Sequence, residues 1–238
     1  MTRRRWIADT WNESTATLAG TQATHLARVL RAQPGMEFDI VAGGRVRRAV
    51  ITAISEDSVD FALGEEVEAS QALPVTLLLA IFKFDRMEWA IEKATELGVE
   101  RIVPVIARRS EKHLTQAAAG RVERWRRIAR EAAQQSRRSD VPAIDDPLTL
   151  KGAILQEASK LRLLLSENEH IVTLRDAMET DAAKRGIRLG VGPEGGWTAE
   201  EEMLFKDAEW IPVSFGPRIL RAETAAIAAL SIAAAWVE

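Results

Sequence analysis

The run at 75–82, "VTLLLAIF", is apolar without interruption, the pattern of a short strand buried on both faces. Directly after it, Met87, Ala90, Ile91, Ala94 and Leu97 recur at the spacing of one helical face. Gly98 stands where a helix-ending glycine belongs, and "VERIVPVIA" opens a second apolar run. Strand, helix, strand in this order predicts a parallel α/β sheet. Further apolar runs at 161–165, 187–191 and 210–215 predict strands, and helices are predicted near 121–138, 199–208 and 222–237.

The chain before residue 70 follows another pattern. Pro34-Gly35 and Gly43-Gly44 bracket one strand, "RVRRAVITAI" resumes a partly alternating pattern, and "ATHLARVLR" reads as a short helix. A compact, mostly β module is expected. The acidic, small-residue stretch "LGEEVEASQALP" at 63–74 ends at a proline and marks the boundary, which gives two domains, 1–70 and 74–238.

Composition narrows the chemistry. With 238 residues, 47% hydrophobic and 28% charged, the chain has the balance of an ordinary globular protein. The absence of cysteine removes thiolate ligands, and His25, His113 and His170 are scattered, so no metal is expected. The basic N-terminus lacks an apolar segment behind it, and the longest nearly apolar run, 225–237, is shorter than the roughly 20 residues of a membrane span. A cytoplasmic protein without a membrane partner is expected.

A net charge of −3 conceals basic patches. Residues 121–138 carry seven arginines against two glutamates, with Val122, Trp125, Ala129, Ala132 and Ala133 at core spacing and Arg124, Arg127, Glu131 and Arg138 on another face. This bias favours contact with a phosphate backbone over a merely solvated face. Further arginines cluster at Arg3, Arg4 and Arg5, at Arg45, Arg47 and Arg48, and at Arg108 and Arg109 beside Lys112 and His113. His113 reads as a surface residue.

Two short stretches could carry a reaction. In "GVGPEGGWTAEE" at 190–201, Thr198 and Glu201 form a capping box, so a helix starts just after the glycines. The spacing matches neither the dinucleotide fingerprint nor the P-loop. A structural turn and a ligand loop both satisfy this pattern. In "SFGPRILRAETAAIAAL" at 214–230, Arg218, Arg221 and Glu223 are compressed between two apolar elements. They form either a helix-capping ion pair or a donor set facing a ligand or a developing oxyanion. The helix that follows has no polar face, which predicts burial on all sides, in a core or at a subunit interface.

"GPEGG" at 192–196, "FGPRILRAETAA" at 215–226, "RMEWAIEKATELGVERIVPV" at 86–105 and "HLARVLRAQPG" at 25–35 together resemble the RsmE family, bacterial small-subunit ribosomal RNA methyltransferases of the SPOUT class that act on N3 of a uridine. Four motifs in the expected order cover most of the chain. Two positions depart from the family pattern: Phe215 replaces a common leucine, and Ser136-Arg137 stand where some relatives carry cysteine and glycine.

The resemblance implies an α/β fold: a SPOUT-type C-terminal domain with a parallel sheet, helices on both faces and a deep trefoil knot, preceded by a small PUA-like β-barrel that helps hold RNA. It implies S-adenosylmethionine as cofactor, small-subunit ribosomal RNA or the assembled subunit as partner, and a homodimer built partly from the C-terminal helix. Carried onto this sequence, the cofactor loops comprise Leu165 and Ser166; Gly190, Gly192, Pro193, Glu194, Gly195 and Gly196; and Phe215, Gly216, Leu220, Arg221 and Thr224. Arg221 and Arg218 are the expected catalytic donors, with Glu223 as a proton acceptor or as the group that orients an arginine. Arg124, Arg127, Arg138, Arg108 and Arg109 are the expected RNA contacts. Alternatives are a related enzyme acting on a ribose 2′-oxygen or on transfer RNA, and a non-catalytic ribosome assembly factor.

Overall fold

The computed structural model describes residues 5–69, 71–156, 160–180 and 182–237; Arg3 and Arg4 of the first basic cluster lie outside the described residues. Contacts divide the chain into two compact units, one of the chain up to Gln71 together with Arg130–Val141, the other of Ala72–Ala129 and the chain from Pro142 onward.

In the first unit, strands β1 (Arg5–Ile7), β2 (Thr10–Trp11), β3 (Thr15–Ala19), β4 (Glu37–Ala42), β5 (Arg45–Ile54) and β6 (Ser58–Glu66) form one sheet in the order β1-β4-β5-β6-β3-β2. All pairs are antiparallel except β1 with β4. Helix α1 (Gly20–Thr24) continues as a wider π turn over His25–Val29. Leu18, Leu26, Ile40, Ile51, Val59 and Phe61 share one core, so strands and helix cover the same apolar centre. The sequence reading assigned 130–141 to the second domain. It groups with the first because Ala133 and Val141 pack on Ile7, Val41 and Val46, and Arg130 donates to the Asp9 carboxylate at 2.8 Å.

The second unit is a parallel sheet. Strands β7 (Leu73–Ala80), β8 (Val99–Ile106), β10 (Leu148–Thr149), β11 (Leu161–Leu165), β12 (Ile187–Val191) and β13 (Ile211–Val213) lie in the order β10-β8-β7-β12-β11-β13, with β9 (Ala143–Ile144) paired on β8. The helices are α2 (Phe84–Glu96), α3 (Lys112–Ala117), α4 (Val122–Gln135, whose residues from Arg130 belong to the first unit), α5 (Leu150–Ile154), α6 (Leu174–Met178), α7 (Ala199–Asp207) and α8 (Ala222–Val237). Leu78, Ala80, Val103 and Val105 face a cluster completed by Ala153 and Ile154 of α5 and Phe205 of α7. The intervening Leu77 and Leu79 are fully buried on the opposite face, where α8 packs on β7 and β12 and α2 on β8. Alternate side chains bury opposite faces of a strand, which is why "VTLLLAIF" carries no charge and its one polar residue, Thr76, is buried with the rest.

Most helical faces follow the predicted spacing: Met87, Ala90, Ile91 and Ala94 are buried on α2, and Val122, Trp125, Ala129, Ala132 and Ala133 on α4. Within this chain helix α8 is buried along one side only, so a core position alone does not account for its missing polar face. Ala222, Ala226, Ala229, Leu230 and Ala233 are buried, whereas Thr224, Ser231, Ala235 and Trp236 are exposed. Small residues let one face press closely on the sheet, and a single chain supplies no second layer to cover the other. In β12, Arg188 is fully buried: its guanidinium donates to the carbonyls of Ala153 (2.7 Å) and Ile154 (3.2 Å) at the end of α5 and lies over the Trp210 ring. A cation at a helix C-terminus meets the negative end of the helix dipole.

Among the described residues, no helix is long and apolar enough to cross a membrane, and no group of three or more acidic or histidine side chains is placed to hold a metal ion.

Candidate functional site

Strands β12, β11 and β13 are neighbours, and the loops leaving their carboxyl ends line one cavity of about 500 Å³. That volume suits a small-molecule ligand. In open parallel sheets ligands bind outside the carboxyl ends of the strands, where successive connections turn opposite ways. Here the chain leaves β7 for β8 on one side and later returns to place β12 on the other. The first and third loops are laced together, because the Ser214 N–H donates to Val172 and the Leu174 N–H to Ser214, both at 3.0 Å.

The glycine loop is held from below. The Gly196 N–H donates to the Pro193 carbonyl at 2.9 Å, closing a turn in which Gly196 takes φ +69°. Arg109 Nη1 donates to the carbonyls of Gly195 (2.7 Å) and Trp197 (3.1 Å). Trp197, Phe205 and Trp210 stack edge to face beneath, with ring centroids 4.9 and 5.1 Å apart. A Cβ on Gly192 would come within 3.1 Å of the Trp197 indole nitrogen, so the glycine permits the backbone to lie on the ring.

The capping box of α7 forms as the sequence predicts: the Glu201 N–H donates to Thr198 Oγ1, and Thr198 N–H donates to Glu201 Oε2 at 2.9 Å. Glu201 also accepts the Arg108 N–H at 2.7 Å, tying the helix start to the end of β8. A buried carboxylate already occupies the positive end of this helix, so a phosphate is poorly served there.

The charges on the wall are mixed. Arg218 and Arg221 line the cavity, are exposed, and make no ion pair with the described residues. Glu223, which the sequence allowed to pair with either, is instead buried with Oε1 3.9 Å from Arg86 Nε of α2. Arg86 also donates to Glu194 of the glycine loop at 2.8 Å. Glu167, Glu169, His170 and Glu202 complete the polar lining. The N–H groups of Val172 and Ile171 hold the Glu169 carboxyl below the usual carboxylate range.

Of the predicted cofactor residues, Leu165, Ser166, Gly192, Pro193, Glu194, Gly196, Phe215, Gly216, Leu220 and Arg221 line the cavity. Gly190, Gly195 and Thr224 are not among the lining residues. A Cβ on Gly190 would meet Leu164, Phe205 and Trp210 in the core, one on Gly195 would meet the Arg109 stem, and Thr224 is exposed on α8. Arg86, His170 and Trp197 belong to the wall without having been singled out from sequence. Arg86 stands inside the quoted motif "RMEW", and its approach to Glu194 depends on the fold that carries α2 to the glycine loop.

The predicted RNA arginines fall into different settings. Arg127 is exposed, and Arg124 is half exposed in a bidentate pair with Glu88 at 2.7 and 2.8 Å. Arg108 reaches toward the exposed Glu200, Arg109 is committed to the glycine loop, and Arg138 is buried against Asp140.

The cavity suits a compact cation with polar ends, as S-adenosylmethionine is. Carboxylates on the wall can face a sulfonium or ammonium, bare glycine backbone admits a flat base, and the Trp197 Nε1 donor is buried with no partner among the described residues.

A parallel-sheet domain with a cavity built from loops at its strand ends, together with a separate small β domain, defines a two-domain α/β protein with a small-molecule site, and two family models match those two parts. The RNA methyltransferase domain matches residues 69–234, and the RNA methyltransferase PUA domain matches 18–63. Ribosomal RNA small subunit methyltransferase E from Synechocystis is 35% identical over 222 residues, covering 92% of this chain and 72% of the relative. Its counterpart from Bacillus subtilis is 31% identical over 91% of this chain and 88% of the relative. The crystal structure of the Neisseria gonorrhoeae ribosomal RNA small subunit methyltransferase E bound to S-adenosylmethionine superposes with a TM-score of 0.82 at 30% identity, covering 97% and 96% of the two chains. This chain belongs to the ribosomal RNA small subunit methyltransferase E family.

Proposed function

We propose that the protein transfers a methyl group from S-adenosylmethionine to N3 of a uridine in small-subunit ribosomal RNA. The observation that carries this reading is the convergence of three loops on one cavity where two arginines, Arg218 and Arg221, are not engaged by any described carboxylate. S-adenosylmethionine, when bound, supplies a methyl carbon made electrophilic by its sulfonium.

The glycine loop and the stretch Phe215–Leu220 form the walls that orient the donor, and the apolar Leu165, Val191 and Val213 exclude water from its reacting end. Uridine N3 carries a proton at neutral pH, and its loss leaves negative charge on the flanking carbonyl oxygens. Arg218 and Arg221 donate to those oxygens, the part an oxyanion donor plays. Among the carboxylates on the wall, Glu194 of the glycine loop is the candidate acceptor of the N3 proton. Glu223 lies behind the wall beside Arg86, which suits it to orienting that arginine.

In this reading the second unit is a SPOUT-class domain whose C-terminal loops are threaded as a deep trefoil knot. In the same reading a PUA-like barrel within residues 1–70 holds RNA, and residues 74–238 carry the chemistry. The exposed side of α8, with Trp236 40% accessible, is where a second copy packs to form a homodimer. The enzyme acts in the cytoplasm.

The test is nucleoside mass spectrometry on small subunits lacking the modification, after incubation with the protein and S-adenosylmethionine. N3-methyluridine is expected. A 2′-O-methyl nucleoside, or product only on transfer RNA, contradicts the assignment.

A further inference from the structure

Arg86 lies outside the three loops of the cavity, yet it touches the glycine loop on the wall and the start of α8 behind it. It stands in the first turn of α2, and its guanidinium reaches Glu194 of the glycine loop at 2.8 Å and Glu223 of the first turn of α8 at 3.9 Å. The arginine side chain is 32% exposed, Glu194 37% and Glu223 only 7%, so the contact grades from solvent into the interior. The other Glu223 oxygen, Oε2, is buried with no hydrogen-bond partner among the described residues. Lys83, 3.9 Å from Glu194, is a second cation on the exposed side. Among the described ion pairs, Arg86 is the only cation within reach of Glu223.

We infer that Arg86 is a positioning residue for the methyl-donor pocket: it ties the glycine loop to the start of α8 and thereby fixes the spacing of the walls that receive S-adenosylmethionine. The inference rests on the functional reading above. A guanidinium has donors enough to serve two carboxylates at once, which an ammonium cannot do with the same geometry. Without it, Glu223 becomes a buried carboxylate with no counter-ion, a state that proteins avoid by shifting backbone or side chain. Arg221 lies two residues before Glu223, so a shift there moves the proposed catalytic donor as well. The glycine loop in turn loses the bridge that holds its one carboxylate.

The experiment is calorimetric titration of S-adenosylmethionine into the full-length protein, using wild type, Arg86→Met, Arg86→Lys, Glu194→Gln and the double variant Arg86→Met/Glu194→Gln. Arg86→Met is expected to weaken binding about tenfold or more, the scale on which a misplaced wall acts. Arg86→Lys should recover part of that loss. Because both single changes break one bridge, the double variant should bind within about twofold of Arg86→Met alone. If Arg86→Met melts too early to titrate, Glu194→Gln cuts the same bridge from its exposed end and must weaken binding as well. Wild-type binding with Arg86→Met within twofold of it overturns the inference and leaves the functional reading intact, as would single effects that multiply in the double variant. Failure of wild type to bind S-adenosylmethionine overturns the functional reading itself, and this inference with it.

Discussion

Arg221 and Glu223 are two residues apart, and the sequence allowed them to pair with each other, yet the structure sets them in opposite surroundings. Arg221 opens on the cavity without an ion-pair partner among the described residues, while Glu223 turns inward to Arg86. Removal of an oxyanion-type donor costs about 10²-fold or more in turnover. Arg221→Ala is therefore expected to lose methyl transfer on that scale when assayed at saturating S-adenosylmethionine; equal turnover would remove Arg221 from the mechanism. The glycines divide in a similar way. "GVGPEGG" fitted a structural turn and a ligand loop equally, and its glycines serve different ends: Gly190 approaches core rings, Gly195 the Arg109 stem, and Gly192 and Gly196 line the cavity wall. Only the three-dimensional position of Trp197, Phe205, Trp210 and Arg109 separates these roles. The buried Arg188 was equally illegible, since its partners are carbonyls at the end of α5.

At the scale of elements, strands β7, β8, β11, β12 and β13 and the helices α2, α4, α7 and α8 were legible because each is long enough to show a period or ends on a recognisable cap, whereas the two-residue strands β9 and β10 were not. The short helices α5 and α6, five residues each, were not, because one turn carries too few apolar positions to reveal a face. Helix α6 depends on its cap. The Thr173 hydroxyl donates to Asp176 at 2.7 Å and the Thr173 N–H at 3.1 Å, which hold the Asp176 carboxyl below its ordinary value. A lowered value in the folded state means that the stabilisation is complete above the unfolded carboxylate value of about 4 and fades as pH falls through the lower, folded value. Thr173→Ala should therefore lower the melting temperature at pH 7, and the difference from wild type should shrink at pH 3. A difference that is the same at both pH values would contradict this account of the cap.

For the whole molecule, the pattern change near residue 70 was visible, but the grouping of 130–141 with the first unit was not, because its contacts with Ile7, Val41 and Val46 span more than 80 residues of chain. The arginine bias of α4 likewise reads differently once partners are known. Arg127 is exposed and Arg124 is held in place by Glu88, whereas Arg138 is buried. RNA binding carried by this face predicts that Arg124→Ala/Arg127→Ala lowers affinity for small-subunit RNA and flattens its salt dependence by up to about one unit of log–log slope per lost phosphate contact. An unaltered slope would return these arginines to the solvated surface. The central claim is that the cavity at the carboxyl ends of β11, β12 and β13 receives the methyl donor. It is tested most directly by titrating S-adenosylmethionine into wild type and Gly192→Val, the latter checked for native circular dichroism. Wild type should bind one molecule per chain, and the valine, forced onto the Trp197 ring, should weaken binding at least about tenfold. Absence of binding to wild type, or equal binding to both proteins, would contradict it.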